Sequence, residues 1–345
     1  MQKIKVLVVD DSILIRKFIS DMINSDPELE TCGSAPNGKI ALGKIPFFSP
    51  DVITLDIEMP EMNGIETLKE IRKLYPKLPV IMVSSLSIEG AKDTFNAIEL
   101  GANDFITKPS EMSEKDEIIK YLLNTLNPKL KFWGNKNGLL KSNEVYNPIT
   151  VIKKENQSHE IVIIGISTGG TIALMEVLPK FPKDFPLPII VVIHIPALFS
   201  KSFAERLKEV CMLNVKEAEH NEQLLSGTIY LAPGDFHLEI AKRQNEIIIQ
   251  LNQESRVNFC RPSVDVMFQS VAEIYKEKTL GVIMTGMGRD GLDGCRLIQK
   301  YGGTVFIQDK ETSVVWGMPG AIANEELANK ILPLEKITEN IIKSI

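Results

Sequence analysis

The sequence predicts an α/β protein with two helix-flanked, mainly parallel sheets, each forming its own domain. Its 345 residues are enough for about two domains with separate cores. Short apolar segments alternate with amphipathic ones in both halves, which is typical of parallel sheets whose strands are joined by helices. Between the halves, residues 127–157 lose this periodicity and carry Asn, Lys, Gly and Pro. We therefore predict a first domain at 1–126, a linker at 127–157 and a second domain at 158–345.

The composition is that of a globular protein without the charge of a nucleic-acid binder. Lys and Arg number 39 against 45 Asp and Glu, and the net charge of −6 disfavours a polyanionic partner. The four cysteines form no CxxC pair, which predicts free thiols in a reducing compartment. The first residues lack a signal peptide's apolar core, and no apolar stretch reaches the roughly 18 residues of a membrane helix. We expect a cytoplasmic protein that has no nucleic-acid partner.

The first domain is predicted to be doubly wound, because five apolar segments each precede an amphipathic one. The expected strands cover residues 4–9, 29–35, 51–55, 79–83 and 103–107. The expected helices cover residues 12–24, 38–45, 65–75, 90–100 and 114–126.

Polar residues gather where these strands end. Asp10 and Asp11 follow the first strand, Asp56 ends the third, Ser84 ends the fourth and Lys108 follows the fifth. A single aspartate at such a point is explained by helix capping, but five polar residues at matching strand ends are not. Carboxylates that converge on one sheet edge repel each other unless a divalent cation joins them, and oxygen ligands favour Mg²⁺.

With the segments DIEMPEMNG and TKP, these five residues resemble the receiver domain of two-component response regulators. The resemblance covers about 120 residues and implies a flavodoxin-like fold. It implies that Asp56 accepts a phosphoryl group, that Asp11 and Asp56 hold Mg²⁺, and that Asp10 supports the metal's surroundings. Lys108 and Ser84 would bind the phosphoryl oxygens.

Aromatic residues mark two further points in the first half of the chain. The resemblance places Phe105 at the position of the aromatic switch residue of receivers, although an aromatic side chain on a strand is by default a core residue. Phe132 and Trp133 are the expected hydrophobic anchors of a tether that is otherwise without regular structure.

The second domain contains a serine on a turn between a strand and a helix. Residues 161–166, IVIIGI, predict a buried strand, and Ser167, Thr168 and two glycines lead into a helical pattern. The N–H groups after such a serine lie near a helix N-terminus, where negative charge is favoured. This suits a nucleophile and its oxyanion, but it also suits a glycine-rich turn that packs closely or cradles a phosphate.

Two further buried strands favour the catalytic interpretation. Residues 188–193 lead to His194, and residues 280–284 lead into TGMGRDG, which carries Asp290. Parallel strands bring their carboxyl ends to one edge, so nucleophile, base and carboxylate meet there. The other expected elements are a helix at 200–210, strands at 228–231, 237–240 and 246–250, a helix at 264–277 and a strand at 304–307.

The remaining candidates are weaker. GISTG fits the α/β-hydrolase elbow, but that fold needs the order serine, acid, histidine. No histidine follows His237, and the only aspartates between Ser167 and His237, Asp184 and Asp235, leave no room for the intervening elements. We expect His159 to be solvated, His220 to be exposed, and His237 either to line a site or to cap a strand. Asp293 is expected to serve the first turn of its helix. Four scattered histidines without a cysteine pair do not predict a zinc site.

The second domain resembles the catalytic domain of chemotaxis protein-glutamate methylesterases. The resemblance spans about 185 residues and rests on GISTGG, HIP, FSKSFAERL, LAPGDFH, RPSVDVMF, TGMGRDG and VVWGMPGAI, in that order. It implies a triad of Ser167, His194 and Asp290, with the Met287 N–H and the turn at Thr168 near the oxyanion. Family members often have Ala before the serine and Met after the histidine. This chain has Ile166 and Ile195 there, which are apolar replacements that leave the assignment standing.

We therefore expect a phosphorylation-activated serine hydrolase that demethylates methyl-glutamates of chemoreceptors and deamidates certain receptor glutamines. The resemblance implies methyl-accepting chemoreceptors as substrates, a chemotaxis histidine kinase as phosphodonor and contact with the membrane only through the receptor. No cofactor is expected for catalysis, and Mg²⁺ is expected only in the receiver. One alternative is a response regulator with a non-catalytic output domain that binds DNA or a partner. A second is a serine hydrolase that acts on small esters.

Overall fold

The computed structural model describes residues 3–108, 115–135 and 159–345. The chain divides into two units, Met1–Lys141 and Ser142–Ile345. Each unit is built on a parallel sheet with helices, as the sequence predicts.

The first unit contains a five-stranded sheet in the order β2-β1-β3-β4-β5, in which every neighbouring pair is parallel. This order is that of flavodoxin-like folds and confirms the predicted doubly wound topology. The strands are β1 (Ile4–Val9), β2 (Leu29–Ala35), β3 (Val52–Asp56), β4 (Val80–Ser84) and β5 (Asp104–Thr107). The helices are α1 (Ile13–Ser25), α2 (Gly38–Phe48), α3 (Gly64–Leu74), α4 (Ile88–Glu99) and α5 (Lys115–Gly134).

Side-chain caps begin four of these helices. The side chains of Ser12, Asn37, Asn63 and Ser87 each accept a hydrogen bond from a backbone N–H of the first helical turn. Asn63 also forms a reciprocal capping box with Glu66. These caps satisfy N–H groups that have no partner within the helix, so the sequence defines where each helix begins.

Helix α5 continues beyond the predicted end at residue 126. Leu122, Leu126 and Leu130 are fully buried, and Trp133 packs partly buried against the same core. Their spacing of three and four residues places them on one face of the helix, which explains why the helix persists to Gly134. The loss of structure expected from residue 127 is therefore wrong as far as 134. The rest of the expected linker, 136–157, lies outside the described residues, and the domain boundaries remain predictions.

The second unit contains a seven-stranded parallel sheet in the order β14-β13-β12-β6-β7-β9-β8 and a separate antiparallel hairpin, β10-β11. The strands are β6 (Ile161–Ile166), β7 (Ile189–Ile193), β8 (Asn214–Glu217), β9 (Thr228–Leu231), β10 (His237–Arg243), β11 (Glu246–Asn252), β12 (Thr279–Ile283), β13 (Thr304–Gln308) and β14 (Lys330–Leu332). The helices are α6 (Gly170–Val177), α7 (Ala197–Val210), α8 (Val264–Tyr275), α9 (Leu292–Lys300), α10 (Met318–Asn324) and α11 (Ile337–Ile342), and 3₁₀ turns cover Leu178–Lys180, Lys276–Lys278 and Leu334–Lys336.

The order in which strands are added to the sheet of the second unit reverses at β6. From this central strand the chain first builds toward β7 on one side and later returns to place β12 on the other. Open parallel sheets bind their ligands at the carboxyl ends of the strands beside such a switch point. The topology therefore directs attention to the residues that follow β6, β7 and β12.

His159 is buried, so the expectation that it is solvated is wrong. Its Nδ1 lies 2.7 Å from the carbonyl oxygen of Ser344, and its Nε2 lies 3.0 Å from the Thr304 hydroxyl. Burial lowers the pKa of His159, which fits a neutral ring that donates from Nδ1. The partners lie 145 and 185 residues away in sequence, which is why local sequence context could not reveal them.

Among the described helices, none combines the length and the apolar character that crossing a lipid bilayer requires.

Candidate active site

Strands β6 and β7 bring Ser167 and His194 side by side. Ile166 and Ile193 are register partners in the two parallel strands, and Ser167 and His194 directly follow them. The His194 N–H donates to the carbonyl of Ile166 at 3.3 Å, which continues the pairing to these residues. Neighbouring strands lie about 4.8 Å apart, so the two side chains emerge from adjacent positions of one sheet edge.

The loop after β12 packs directly against Ser167. Ser167 N–H donates to the carbonyl of Thr285 at 3.0 Å. A Cβ on Gly286 would lie 2.9 Å from the Ser167 Cβ and 2.3 Å from the Met318 sulfur, so only glycine fits at this position. Ser167 is partly exposed, and within residues 159–345 its hydroxyl has no hydrogen-bond partner. The hydroxyl is therefore available to a substrate.

His194 and Asp290 form the central ion pair of the site. The imidazole Nε2 lies 2.9 Å from Asp290 Oδ2. This bond occupies Nε2, so Nδ1 is the nitrogen left to act on another group. Only 13% of the His194 side chain and 3% of the Asp290 side chain are exposed, and the pair is thus largely withdrawn from water.

Asp290 is held by four donors besides His194. Its Oδ1 accepts hydrogen bonds from Ser263 Oγ at 2.7 Å, Asn258 Nδ2 at 2.9 Å and the Asp265 N–H at 3.2 Å, while Oδ2 accepts from the Val264 N–H at 2.7 Å. The backbone donors are the first N–H groups of α8, whose N-cap residue makes no side-chain cap. The carboxylate therefore caps α8 itself and gains from the helix dipole.

The ion pair shifts the pKa values of Asp290 and His194 in opposite directions. Burial alone would raise the pKa of Asp290, but the bonds from His194, Asn258 and Ser263 outweigh it and lower the pKa. Burial alone would lower the pKa of His194, but its bonds to Asp290 and Cys260 outweigh it and raise the pKa. Asp290 is consequently ionised, and the imidazole is a stronger base than a free histidine.

Two backbone N–H groups beside Ser167 are unused. In the part of the second unit that the structure describes, the N–H groups of Thr168 and Met287 have no hydrogen-bond partner. Thr168 directly follows Ser167. Met287 directly follows Gly286, whose backbone packs closely against Ser167. The Thr168 carbonyl is in turn fixed by the Thr285 hydroxyl at 2.9 Å. The surroundings of Ser167 thus offer donors of the kind that stabilise an oxyanion.

Cys260 is a member of this site that the sequence did not reveal. Its Sγ lies 3.5 Å from His194 Nδ1 and 3.4 Å from the carbonyl oxygen of Asn258. A tight turn holds it, since Val257 and Cys260 exchange backbone hydrogen bonds of 3.1 and 2.9 Å. The four cysteines are free thiols, as predicted.

The other residues that the sequence singled out in the second domain have no direct contact with Ser167 or His194 among the described hydrogen bonds. His237 is buried, accepts the Ser263 N–H at Nδ1 and faces the Ser255 carbonyl with Nε2, so it supports the segment that holds Asp290. His220 is exposed, as predicted. Asp293 lies in the first turn of α9, also as predicted.

The edge of the first sheet holds a cluster of three carboxylates and a lysine. Lys108 Nζ lies 2.7 Å from Asp56 Oδ2 and 3.4 Å from Asp10 Oδ2. Oxygens of Asp10, Asp11 and Asp56 lie within 4.8 Å of one another. Asp10 Oδ2 is buried, and apart from the ion pair with Lys108 it has no hydrogen-bond partner in the described residues. A buried carboxylate oxygen with spare acceptor capacity among other carboxylates fits a hard cation such as Mg²⁺.

The raised pKa values of Asp56 and Asp10 agree with a cation site at this sheet edge. Burial raises the pKa of Asp56 to about 6 although Lys108 opposes the shift, and burial likewise raises the pKa of Asp10. The buried Ser84 hydroxyl donates to the Gly90 carbonyl at 3.0 Å. Phe105 is buried and contacts Phe95 edge-on, with 6.1 Å between ring centroids. The structure thus brings Asp10, Asp11, Asp56 and Lys108 together.

Comparison with known proteins places both units in characterised families. Residues 162–341 match the family described as CheB methylesterase, and residues 6–120 match the response regulator receiver domain. A protein-glutamate methylesterase/protein-glutamine glutaminase of Trichodesmium erythraeum is 44% identical over 100% of both chains. One of Thermotoga maritima is 43% identical over 99% of this chain and 98% of its own. The crystal structure of the Thermotoga maritima CheB methylesterase catalytic domain is 46% identical, covers 55% of this chain and 100% of its own, and superimposes with a TM-score of 0.54.

The fold and the comparisons define the class of protein as a hydrolase joined to a receiver domain of two-component signalling. The chain belongs to the CheB methylesterase family.

Proposed function

We propose that the chain is a protein-glutamate methylesterase and protein-glutamine glutaminase that acts on chemoreceptors through Ser167, His194 and Asp290. The observation that carries this proposal is the largely buried His194–Asp290 pair, 2.9 Å apart, in which His194 occupies the sheet position next to Ser167. Nucleophile, base and orienting carboxylate are the three roles that acyl transfer requires. A non-catalytic output domain would have no use for a buried ion pair beside an unbonded serine.

The proposed chemistry assigns each step to a named atom of the site. Ser167 Oγ attacks the side-chain carbonyl carbon of a methyl-glutamate or glutamine, and His194 Nδ1 accepts the hydroxyl proton. His194 returns this proton to the departing methanol or ammonia, which leaves an acyl-enzyme. Water then attacks with the same base and releases the glutamate. The N–H groups of Thr168 and Met287 stabilise the oxyanion of each tetrahedral intermediate.

Asp290 acts through His194. As an ionised carboxylate on Nε2, it holds the tautomer with a lone pair on Nδ1 and stabilises the imidazolium that forms during proton transfer. Its four other donors fix its position and disfavour its protonation.

The first unit is proposed as the regulatory domain. Asp56 would accept a phosphoryl group from a chemotaxis histidine kinase, and Lys108 and Ser84 would bind its oxygens. Asp11 and Asp56 would hold Mg²⁺ with support from Asp10, and the bound ion would neutralise the charge of the phosphoryl group. We place this domain at residues 1–134, because α5 packs in its core as far as Trp133, and the catalytic domain at 158–345. The partners would then be chemoreceptors and the kinase, in the cytoplasm.

The decisive experiment measures methanol release from membranes that contain methylated receptors, with and without a small phosphodonor and Mg²⁺. The proposal expects release that rises with the phosphodonor and labelling of Ser167 by a fluorophosphonate. A small-ester hydrolase would cleave simple esters but release no methanol from receptors. A binding module would do neither.

The first prediction concerns pH. Because the pKa of His194 is raised above 6.5, the neutral base becomes populated only at higher pH than for a free histidine. The rate of methanol release at low substrate concentration should therefore rise with pH and reach half its maximum above pH 6.5. The measurement uses the unphosphorylated protein, so that titration of the receiver does not contribute. A midpoint at or below pH 6.5 would contradict the proposed ion pair.

The second prediction concerns Asp56→Asn. An amide cannot form the acyl phosphate, so the variant should keep the basal rate whatever phosphodonor is added, whereas the wild type accelerates. Asp51→Asn is the matched control, because Asp51 lies just before the same strand but bonds to the Lys5 N–H outside the carboxylate cluster. Activation of the Asp56→Asn protein equal to that of the wild type would rule out Asp56 as the acceptor.

A further inference from the structure

His194 Nδ1 and Cys260 Sγ are two potential metal ligands that lie close together in the proposed active site. The two atoms are 3.5 Å apart, and with an oxygen of Asp290 they form a cluster whose atoms all lie within 4.8 Å of one another. The two residues are 66 positions apart in sequence, and neither belongs to a CxxC or HxxxH pattern. Spacing along the chain therefore gave no sign of this cluster.

We propose that His194 Nδ1 and Cys260 Sγ bind Zn²⁺, and that the bound ion inhibits the hydrolase. Zn–N bonds of about 2.0 Å and Zn–S bonds of about 2.3 Å at a tetrahedral angle separate the two ligand atoms by about 3.5 Å. The 3.5 Å between Nδ1 and Sγ matches this separation without movement of either side chain. On binding, the thiol gives its proton to solvent, and the imidazole binds in its neutral form.

Asp290 supports the proposed Zn²⁺ site through its hydrogen bond to His194. Metal-bound histidines generally donate their other ring N–H to a carboxylate, which fixes the ring and strengthens the ligand. Here the Nε2 bond to Asp290 does this at 2.9 Å and leaves Nδ1, 3.5 Å from the Cys260 sulfur, as the nitrogen that can bind the metal. Because Asp290 already accepts five hydrogen bonds, it serves better as the outer partner of His194 than as a ligand of the metal.

Solvent ions can reach the cluster, and its ligand atoms favour Zn²⁺ over Mg²⁺. His194 keeps 13% of its side chain exposed, Cys260 is partly exposed and the adjoining Phe259 is 84% exposed, so an ion can enter from solvent. Two protein ligands leave two positions of a tetrahedral ion for water or a substrate oxygen. A nitrogen and a sulfur ligand favour Zn²⁺ over Mg²⁺, so the Mg²⁺ that supports the receiver would not compete for this site.

Inhibition follows from the lone pair that the metal occupies. This step rests on the proposed function, because it needs His194 Nδ1 as the base that accepts the Ser167 proton. With Zn²⁺ on Nδ1, the Ser167 hydroxyl has no base beside it, and hydrolysis stops until the ion leaves. The metal site itself depends only on the positions of His194 and Cys260.

An optical experiment tests the site independently of activity. Co²⁺ is added to the full-length protein, and the thiolate-to-cobalt charge-transfer band in the near ultraviolet is recorded. We expect the band in the wild type, its displacement by Zn²⁺ and its absence in Cys260→Ser and Cys260→Ala. Cys211→Ser is the matched control and should keep the band, since Cys211 is also partly exposed but ends α7. The carboxylate cluster of the receiver has only oxygen ligands and cannot produce this band. Absence of the band in a folded wild type, or its survival in both Cys260 variants, would overturn the site.

A second measurement tests the inhibition. Methanol release from methylated receptor membranes is titrated with Zn²⁺, and each protein is compared with its own rate in the presence of a chelator. The Zn²⁺ concentration that halves the rate should rise at least about tenfold in Cys260→Ser, because even an outer partner of a metal site changes affinity by that factor. Cys211→Ser should behave as the wild type. A cobalt band without Zn²⁺ inhibition would confirm the metal site and overturn both the inhibition and the proposed role of His194.

Discussion

Ser167→Ala is expected to reduce methanol release from methylated receptors below detection. The substitution removes the nucleophile, and loss of the nucleophile from a serine triad costs about 10⁶-fold in rate. The hydroxyl has no hydrogen-bond partner within the described second unit, so its removal leaves no buried group unsatisfied. The free energy of unfolding should therefore change by no more than about 0.5 kcal/mol. The measurements are methanol release and urea unfolding of the same preparation.

The control for this variant is Ser226→Ala. Ser226 is exposed in the same unit and precedes β9, so its loss should leave the rate unchanged. Both variants should still accept a phosphoryl group on the receiver, which separates loss of catalysis from loss of folding. If Ser167→Ala retained more than a tenth of the wild-type rate, Ser167 would not be the nucleophile.

The sequence predicted the placement of these residues because strand ends are readable. Continuous apolar runs such as IVIIGI identify buried parallel strands, and the residue after each run must lie at one sheet edge. Ser167 and His194 follow two such runs, and the register of β6 and β7 makes them neighbours. The same reasoning identified the carboxylates of the first unit. Sheet topology thus turns local patterns into long-range contacts.

The surroundings of Asp290 could not be predicted in this way. Asn258 and Ser263 reach Asp290 from the irregular segment between β11 and α8, where no periodicity reports direction. Cys260 lies in the same segment and contacts His194 only because a tight turn aims it there. One signal was available, since a serine before an amphipathic helix suggests an N-cap. Nothing local showed that Asp290 takes over that capping role.

Edge elements were missed for a different reason. Strands β8 and β14 have four and three residues, too short to show a pattern against the background of the chain. The extension of α5 was missed because the segment from residue 127 carries Asn, Lys, Gly and Pro, whereas burial of Leu126 and Leu130 stabilises the helix around Pro128. Tertiary packing decided both cases.

Asp290→Asn is expected to lower the maximal rate of methanol release by about 10⁴-fold, the loss known for the same change in a serine triad. An amide cannot stabilise the imidazolium, and its NH₂ group favours the tautomer with the proton on Nδ1. In that tautomer Nδ1 has no lone pair with which to accept the Ser167 proton. The amide also cannot accept all five bonds now made to the carboxylate, so the variant should be destabilised by about 1–3 kcal/mol.

The pH profile distinguishes this mechanism from simple damage to the fold. Asp290 raises the pKa of His194, so its loss should lower that pKa, and the rising limb of the residual activity should move to lower pH. Asp293→Asn is the matched control, since it removes the same charge nearby but from an exposed side chain paired with Arg296. It should keep nearly the wild-type rate and the wild-type pH profile. A severe loss in Asp293→Asn with a mild one in Asp290→Asn would reverse the assignment of the acid, because only the carboxylate bonded to His194 can set its basicity.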